Sequence, residues 1–554
     1  MVDTLKIALA QLNPTMGDVA GNTALVRAAR AEAAAGGADI VLCTELVVCG
    51  YPPEDLVLRP ALQKACRAAI EELAAETADG GPALLVTGPW VEDGRLHNAV
   101  LLLAEGAIQA KRFKVDLPNY GVFDEKRVFA PGPMPGPIVF KGVRLGVPIC
   151  EDIWTPDVVE CLAETGAEIL LVPNGSPYED DKIDTRLNLA VARVKESGLP
   201  LAYVNQVGGQ DELVFDGASF VLNADCTLAV QLAPFQSKVV VTEWRRTDDG
   251  WHCATGERVA PPDRLAQIYG AMQLGLRDYV DKNRFPGVVL GLSGGIDSAL
   301  SAAVAVDALG PDRVWCVMLP SRFTGDESLG DAGECARLLG VRLDTIGIEP
   351  AFEAFAGMLA PAFAGRKADI TEENLQSRAR GVTLMALSNK FGHMVLTTGN
   401  KSEMSVGYAT LYGDMCGGYS VLKDVYKTAV YDLSRWRNRN RPAGALGPAG
   451  PVMPENVLVR APTAELRENQ TDQDSLPPYD QLDAILEALV EEERSVDEIV
   501  AAGQPREVVT RVLHLLTLAE YKRRQSPPGV KITRRNFGRD RRYPITNRFR
   551  DHYK

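Results

Sequence analysis

Histidine is scarce in this sequence, with five residues among 554. None of them lies three or four positions from another, which excludes the usual helical ligand pairs of a zinc site. An uninterrupted apolar run of about 18 residues, the length that a transmembrane helix needs, is also missing. The N-terminus MVDTLKIALAQLNP has neither the charged start nor the cleavage site of a secretion signal. We therefore expect a cytoplasmic protein without a membrane partner.

A surplus of basic residues is absent as well. The 73 acidic residues outnumber the 59 basic ones, and the net charge is -14. Domains that bind nucleic acid usually have a basic excess, so we expect no nucleic-acid partner. One local exception is the run from Tyr521 to Lys554, which has 12 Lys or Arg against two Asp. This run could be a solvated tail, or it could hold an anionic ligand.

Cysteine pairs are missing too, because the ten cysteines are spread singly without a CxxC motif. This arrangement is typical of a reducing compartment. The remaining composition, with 46% hydrophobic and 24% charged residues, is that of a globular enzyme. A chain of 554 residues is long enough for two large domains.

Short apolar runs rich in β-formers alternate with helical stretches in the first half, among them LKIALAQL, ALLVTGPW and AEILLVPN. Helices are predicted at about 21–35, 60–77, 156–165 and 181–197. Together they indicate a sheet-rich, layered α/β domain over residues 1–258. A connector that starts at a proline pair and continues as an amphipathic helix is expected over 259–286.

From Gly287 the chain alternates apolar strands with longer helices, one of them predicted over about 373–391. Such alternation predicts a parallel, doubly wound sheet, which we expect over residues 287–554.

Three ionisable residues close predicted strands of the first domain: Glu45, Lys114 and Cys150. Because a sheet fixes the directions of residues at its strand ends, these side chains could converge. A thiolate can attack an amide carbon, a carboxylate can carry the proton, and an ammonium can stabilise the oxyanion. Taken singly, a lone cysteine is more often inert core, and Glu45 with Lys114 could form a surface ion pair. A Cys–His mechanism would need His97 or His252, whose surroundings carry no supporting motif.

The strings CTELVVCGYPPEDL, KRFKVDLPNYGVFDEKRVF and GVPICEDIW occur in this order between residues 4 and 245 and resemble the carbon-nitrogen hydrolase, or nitrilase, superfamily. The resemblance implies an αββα sandwich in which Glu45 is the general base, Lys114 stabilises the oxyanion and Cys150 is the nucleophile. It also implies a glutamine pocket, in which Glu125 orients Lys114. Ser176 and Arg186 are candidates for this pocket by their position. The expected pocket residues are Tyr51, Tyr120, Glu125, Ser176 and Arg186.

The second half contains a glycine-rich turn, SGGIDS at residues 293–298, between the apolar strand GVVLGL and an alanine-rich helix. Glycines let backbone amides approach an anion, and the new helix presents free N–H groups. The turn therefore predicts a pyrophosphate-binding site, although the same residues could form a plain tight turn. It is not a Walker loop, because the GK[ST] ending is absent.

SGGIDS is the motif of the ATP pyrophosphatase family, and three later segments resemble those of NAD synthetases: ENLQSRARGVTLMALSN, TTGNKSEMSVGYATLYGDMCGGYSVLKDVYKTAVYDL and PTAELRENQTDQDSLPPYDQLD. The resemblance implies that ATP adenylylates a carbonyl oxygen and that ammonia then displaces AMP. It implies ATP contacts from Gly291, Ser293, Gly294, Gly295, Asp297, Ser298 and Thr398. It further implies Mg²⁺ on Asp297 and Glu403, and deamido-NAD contacts from Asn374, Arg378, Lys423, Lys427 and Lys522.

Each of these positions also has an ordinary interpretation: Glu403 could be an exposed helix carboxylate, and Lys423 a solvated loop lysine. Together, the two resemblances imply that deamido-NAD, ATP, L-glutamine and water give NAD, AMP, pyrophosphate and glutamate, the final step of NAD biosynthesis, through a thioester and an adenylylated substrate. They also imply a homo-oligomer, with the first of the three segments at the subunit interface.

Three alternatives stay open. The chain could amidate a different carbonyl, or its first half could be a degenerate sensing or scaffold module on an ammonia-dependent enzyme. A nucleic-acid role of the basic run is the third.

Overall fold

The computed structural model describes residues 2–468 and 470–547, so residues 548–554 of the basic run lie outside the described residues. The chain divides into two compact units, Met1–Pro262 and Asp263–Lys554. The helix expected in the connector lies in the second unit, and the domain limits at 258 and 286 remain predictions. None of the helices in the described ranges is long and apolar enough to cross a membrane.

Two sheets form the centre of the first unit. One has the strand order β15-β14-β1-β2-β3-β4-β5 and the other β13-β12-β9-β8-β7-β6, while β10 and β11 form a separate hairpin. The strands, in chain order, are β1 Thr4–Gln11, β2 Ile40–Leu42, β3 Ala83–Glu92, β4 Arg95–Ala104, β5 Ala107–Phe113, β6 Ile138–Phe140, β7 Val143–Gly146, β8 Ile169–Asn174, β9 Leu201–Asn205, β10 Val207–Gln210, β11 Leu213–Asp216, β12 Phe220–Leu222, β13 Leu228–Gln231, β14 Lys238–Thr247 and β15 Gly250–Cys253.

Helices cover the outer faces of both sheets. Helices α1 (Val19–Ala35) and α2 (Pro60–Glu76) pack on the seven-stranded sheet. Helices α3 (Asp157–Glu164) and α4 (Lys182–Ser197) pack on the six-stranded sheet. The unit is therefore the predicted αββα sandwich.

Side-chain alternation along the strands explains this layering. In β1, Leu5, Ile7 and Leu9 belong to the apolar core that both sheets share, whereas Ala8 and Ala10 belong to the core beneath α1 and α2. Successive side chains of a strand point to opposite faces, so a strand segment that is apolar at every position requires cover on both. The apolar run IALA at residues 7–10 thus places this part of β1 inside the sandwich.

The second unit contains a five-stranded parallel sheet with the order β18-β17-β16-β19-β20. Its strands are β16 Val288–Gly291, β17 Val314–Met318, β18 Arg342–Thr345, β19 Met394–Thr397 and β20 Tyr419–Ser420. The helices are α5 Arg264–Lys282, α6 Ile296–Leu309, α7 Asp326–Leu339, α8 Glu349–Leu359, α9 Ile370–Phe391, α10 Lys401–Val406, α11 Lys427–Arg439, α12 Glu455–Val459, α13 Tyr479–Val490, α14 Val496–Ala501, α15 Arg506–Leu518 and α16 Glu520–Arg523.

The strand order of this sheet indicates where a ligand would bind. Strand β16 runs beside β17 on one side and β19 on the other, and the connection from β16 leads through the glycine-rich turn into α6. In a doubly wound sheet, ligands bind beyond the carboxyl ends of the strands where the strand order reverses. The turn lies at this position, and the predicted parallel, doubly wound sheet is confirmed.

Candidate active sites

A fully buried lysine with two carboxylates forms the centre of the first unit's site. Lys114 Nζ donates to Glu45 Oε1 at 2.7 Å and to both carboxylate oxygens of Glu125 at 2.9 Å. Burial alone would lower the pKa of Lys114, but Glu125 and Glu45 outweigh it and raise that pKa well above its usual value. Lys114 therefore stays cationic across the physiological pH range.

Glu45 lies three residues beyond the end of β2, and its two oxygens have different partners. Oε1 accepts from Lys114 Nζ and, at 2.8 Å, from the side-chain amide of Asn98. Oε2 accepts the backbone N–H of Gly175 at 2.9 Å. Sequence reasoning missed Asn98, because an asparagine within the β4 pattern shows no sign of its contact with Glu45.

Cys150 begins a short 3₁₀ helix, Cys150–Ile153, with φ at +47°. A positive φ on a non-glycine residue is strained and is found mainly where the surrounding structure fixes it. Asp152 supplies that support: its carboxylate accepts the backbone N–H groups of Ile149, Val115 and Asp116 at 2.8–2.9 Å. These bonds tie the cysteine turn to the segment that directly follows Lys114.

The Cys150 thiol is only 4% exposed. Burial raises its pKa well above the usual value, Glu45 raises it further, and Lys114 opposes both. The resting group is therefore a neutral thiol, which needs a base at the moment of attack. Glu45 and Lys114 both act electrostatically on this thiol, so the structure brings the three predicted residues together.

Three of the predicted pocket residues surround this centre. Tyr51 donates its hydroxyl to Glu125 Oε1 at 2.8 Å. Burial raises the pKa of Glu125 to about 7, Lys114 lowers it and Glu45 raises it. Tyr120 is 50% exposed and donates to both oxygens of Glu151, the residue after the cysteine, at 3.0 and 3.1 Å. Tyr120 thus lies where a ligand could reach it.

The side chain of Arg186 makes its hydrogen bonds to buried neighbours in the first unit. Its Nη1 group donates to both oxygens of Asp216 at 2.7 and 2.8 Å, and Nε donates to Ser176 Oγ at 3.0 Å. Its Nη2 group donates to the carbonyls of Ser176 and Pro177. A guanidinium has five donors, and all five are used here. These bonds do not support the predicted place of Arg186 in the glutamine pocket, which stays a prediction, and Ser176, which is buried against it, has its hydroxyl engaged by the same residue.

Arg186→Ala is expected to destabilise the first unit by about 3–5 kcal/mol, because Asp216 would remain buried without its counter-charge. Chemical denaturation of the variant and of the unaltered chain measures this difference. Lys238→Ala is the control, since it removes a half-exposed pair with Glu257 that is worth about 0.5 kcal/mol or less. A variant of normal stability with a many-fold higher KM for glutamine would instead return Arg186 to the substrate pocket.

The second unit contains a cavity of about 630 Å³ at the end of its parallel sheet. Most of the predicted residues line it, with the ATP set complete. These are Gly291, Ser293, Gly294, Gly295, Asp297, Ser298, Asn374, Arg378, Thr398, Glu403, Lys427 and Lys522.

The turn between β16 and α6 lines the cavity. Gly294 has φ at +83°, and a Cβ there would lie 2.3 Å from the Ser328 carbonyl oxygen, so only glycine fits. Ser298 Oγ accepts the Ser293 N–H at 3.2 Å and donates to the Gly295 carbonyl at 2.9 Å. The turn is thus fixed by its own serines while the amino end of α6 faces the cavity, as in anion-binding turns.

An ion cluster lies next to this turn. Lys427 Nζ pairs with Asp297 Oδ2 and lies 3.2 Å from Glu403 Oε1, while Asn400 donates to Asp297 Oδ1 at 2.8 Å. Burial raises the pKa of Glu403 to about 8, against the opposing effect of Lys427, and Asp297 raises it further. Two carboxylates thus share one buried ammonium at the wall of the cavity.

Lys423 is not among the described residues that line the cavity. Its ammonium donates to the Pro527 carbonyl at 2.7 Å, so the predicted contact with deamido-NAD is not supported. The sequence reasoning also missed three cavity residues. Arg460 donates to the Gly294 carbonyl at 3.0 Å, Asp414 accepts from Ser377, and Asp472 accepts from Tyr479 at 2.8 Å. Only the segment motifs that contain Asp414 and Asp472 could have indicated them.

Known proteins match both units. The carbon-nitrogen hydrolase family model matches residues 6–248, and the NAD synthase family model matches residues 268–526. The glutamine-dependent NAD(+) synthetase of Rhodobacter capsulatus is 54% identical over 551 residues and covers 100% of both chains. That of Xanthomonas campestris is 51% identical over 561 residues, with 98% of each chain covered.

The chain belongs to the glutamine-dependent NAD(+) synthetase family. Membership makes it a carbon–nitrogen ligase. The structure of the glutamine-dependent NAD+ synthetase from Acinetobacter baumannii in complex with adenosine diphosphate is 43% identical, covers 99% of this chain and 100% of that one, and has a TM-score of 0.79. The structure of a glutamine-dependent NAD(+) synthetase from Cytophaga hutchinsonii, at 23% identity and a TM-score of 0.82, has the same fold. Both predicted halves of this NAD(+) synthetase family member, nitrilase-like and NAD-synthetase-like, are thereby confirmed.

Proposed function

We propose that this chain converts deamido-NAD, ATP, L-glutamine and water into NAD, AMP, pyrophosphate and glutamate. The observation that supports it best is the pairing of an intact Glu45, Lys114 and Cys150 set in the first unit with a phosphate-binding turn in the second. The first unit releases ammonia and the second consumes it. In this assignment residues 1–258 are the glutaminase, 259–286 the connector and 287–554 the synthetase.

The glutaminase step follows from the buried triad. Glu45 takes the thiol proton as Cys150 sulfur attacks the carboxamide carbon, and Lys114 stabilises the tetrahedral oxyanion. Glu45 then returns the proton to the departing nitrogen, which leaves as ammonia and gives a thioester. Glu45 next deprotonates a water molecule, which attacks the thioester and releases glutamate and the thiol. Glu125 keeps Lys114 directed at the site, and Tyr120 contributes to the glutamine pocket.

The synthetase step takes place in the cavity of the second unit. The backbone amides of the SGGIDS turn and the amino end of α6 would bind the ATP phosphates, with Thr398 beside the nucleotide. Asn374, Arg378 and Lys522 would contact deamido-NAD. The nicotinate carboxylate attacks the α-phosphorus of ATP, pyrophosphate leaves, and ammonia then displaces AMP from the acyl carbon.

Magnesium is proposed at Asp297 and Glu403. No cluster of three or more acidic, histidine or cysteine residues within the described ranges could hold a metal alone. Mg²⁺ is commonly bound by one or two carboxylates together with substrate phosphates, so two carboxylates beside the turn fit it. When bound, Mg²⁺ would neutralise charge on the pyrophosphate leaving group. Lys427 would supply further positive charge at the same wall.

The oligomeric state and the cellular location are proposed from two separate observations. Helix α9 exposes apolar side chains, with Ile370 67%, Val382 62% and Phe391 54% exposed, which supports a homo-oligomer formed through this helix. The ten cysteines are all free, which supports a reducing compartment such as the cytoplasm.

The deciding experiment supplies deamido-NAD, ATP, Mg²⁺ and glutamine labelled with ¹⁵N in the carboxamide, and follows the product by mass spectrometry. NAD one mass unit heavier is expected, together with AMP and unlabelled glutamate. Absence of labelled NAD, with label in a different amidated product, would favour an enzyme for another carbonyl. NAD formed only from added ammonia would favour a degenerate first half.

Glu125→Gln is expected to lower kcat for glutamine-dependent NAD synthesis by about 10²-fold. The amide supplies one acceptor oxygen in place of two and directs an N–H group at Lys114, which loses a counter-charge and its fixed orientation. Steady-state rates with glutamine and with ammonia check this, and only the former should fall. The matched control is Glu92→Gln, which breaks a half-exposed pair with Lys111 in the same unit. Equal rates for both variants would exclude an orienting role for Glu125.

A further inference from the structure

The hydrogen bonds of Glu45 distinguish its two oxygens. A carboxylate has about two acceptor sites on each oxygen. Oε1 accepts from Lys114 Nζ at 2.7 Å and from Asn98 Nδ2 at 2.8 Å, which fills both of its sites. Oε2 accepts one bond, from the Gly175 N–H at 2.9 Å. One acceptor site on Oε2 is therefore left for a proton.

Asn98 lies in β4 with no exposed surface, and it contacts both residues of the ion pair. Its side-chain amide donates to the Glu45 carboxylate, while its backbone carbonyl accepts the backbone N–H of Lys114 at 2.8 Å. Its other side-chain atom, Oδ1, is buried and has no hydrogen-bond partner among the described residues. A flipped amide would direct Oδ1 at Glu45, acceptor against acceptor, so the contact with Glu45 fixes the orientation.

We propose that Asn98 is a positioning residue which saturates Oε1 of Glu45 and so assigns proton transfer to Oε2. This inference rests on the proposed glutaminase function. With Asn98 in place, only Oε2 can take the Cys150 proton and return it to the leaving nitrogen. Without it, Oε1 regains an acceptor site, the carboxylate can rotate, and the proton has two possible acceptor oxygens in place of one. The chemistry of the reaction is unchanged, but a smaller share of bound glutamine reacts.

Two variants test this role. Asn98→Asp keeps the shape and the backbone bond to Lys114 but replaces the donor by an acceptor. Asn98→Ala removes the side chain without adding a charge, and it decides the question if the first variant does not fold. We expect kcat for glutamate release to fall by about 10²-fold for Asn98→Asp and about 10-fold for Asn98→Ala, with KM for glutamine changed by less than about threefold.

The split between kcat and KM separates positioning from support of the fold. Loss of the Asn98 bond to Glu45 should lower kcat for glutamate release and leave KM for glutamine nearly unchanged, because the residues that bind glutamine are the same in the variants. NAD synthesis from ammonia, which the second unit performs alone, should remain unchanged and reports that the chain is folded.

Asn223→Asp is the matched control, because this buried asparagine of the same unit bonds to Cys253 and Thr227. It should alter stability and leave kcat for glutamate release unchanged. If the Asn98 variants keep the unaltered kcat, or lose glutamate release and ammonia-dependent NAD synthesis alike, the positioning role is overturned. If the unaltered chain releases no glutamate from glutamine, the proposed function itself has failed.

Discussion

Cys150→Ala is expected to lower glutamine-dependent NAD synthesis by more than about 10⁴-fold while synthesis from ammonia stays within about twofold of the unaltered chain. The thioester needs the sulfur, and alanine offers no nucleophile. Cys150 is not among the described residues that line the cavity of the second unit, all of which lie between Gly291 and Lys522 in the chain. The measurement is NAD formation with each nitrogen donor at saturating ATP and deamido-NAD.

The control for this variant is Cys161→Ala, which makes the same change at a half-buried cysteine on α3. Both rates should be unaffected by it. Loss of both activities in Cys150→Ala would contradict a division of labour between the units. Retention of glutamine use would show that Cys150 is not the nucleophile.

Helix limits in the first unit were predictable from local patterns. Helix α2 was expected at 60–77 and occupies Pro60–Glu76, and α4 was expected at 181–197 and occupies Lys182–Ser197. Pro60 suits the first turn of a helix, and Gly198, with φ at +69°, ends one. These signals act within a few residues, so the sequence contains them in full.

The turns that carry the catalytic groups were harder to predict from the sequence. Glu45 was expected to close a strand, but β2 ends at Leu42, and Cys150 begins a 3₁₀ helix rather than ending β7 at Gly146. The convergence of Glu45 with Lys114 was nevertheless predicted, because both follow strands that run in the same direction in one sheet. The positive φ of Cys150 depends on Asp152 and on the segment after Lys114, about 35 residues away in the chain, and this contact has no local signature.

Arg186 shows which contacts the sequence alone does not reveal. An arginine in the first turns of a helix has the same local pattern whether it binds a substrate or a buried carboxylate. Its partner Asp216 comes from β11, 30 residues later, and only the fold brings the two together. The bond of Lys423 is another example, because the Pro527 carbonyl that it binds belongs to a distant segment. Long-range pairs of this kind decide which charged residues are free for a ligand.

Asp297→Asn is expected to lower NAD synthesis by about 10³-fold with glutamine and with ammonia alike, because a metal or lysine clamp on a phosphate leaving group supplies several kcal/mol. The amide can still accept from Asn400, and Lys427 keeps Glu403 as a counter-charge, so the fold should persist. The loss should therefore appear in the rate and not in the unfolding midpoint.

Asp297→Asn should remove the activity of the second unit and keep that of the first, which is the reverse of Cys150→Ala. Glutamate release by the first unit should continue while NAD formation stops, so glutamate and NAD are measured in the same reaction. Asp312→Asn, at an exposed aspartate of the second unit, is the control and should leave both products unchanged. Normal NAD formation from ammonia in Asp297→Asn would remove this carboxylate from the phosphate site.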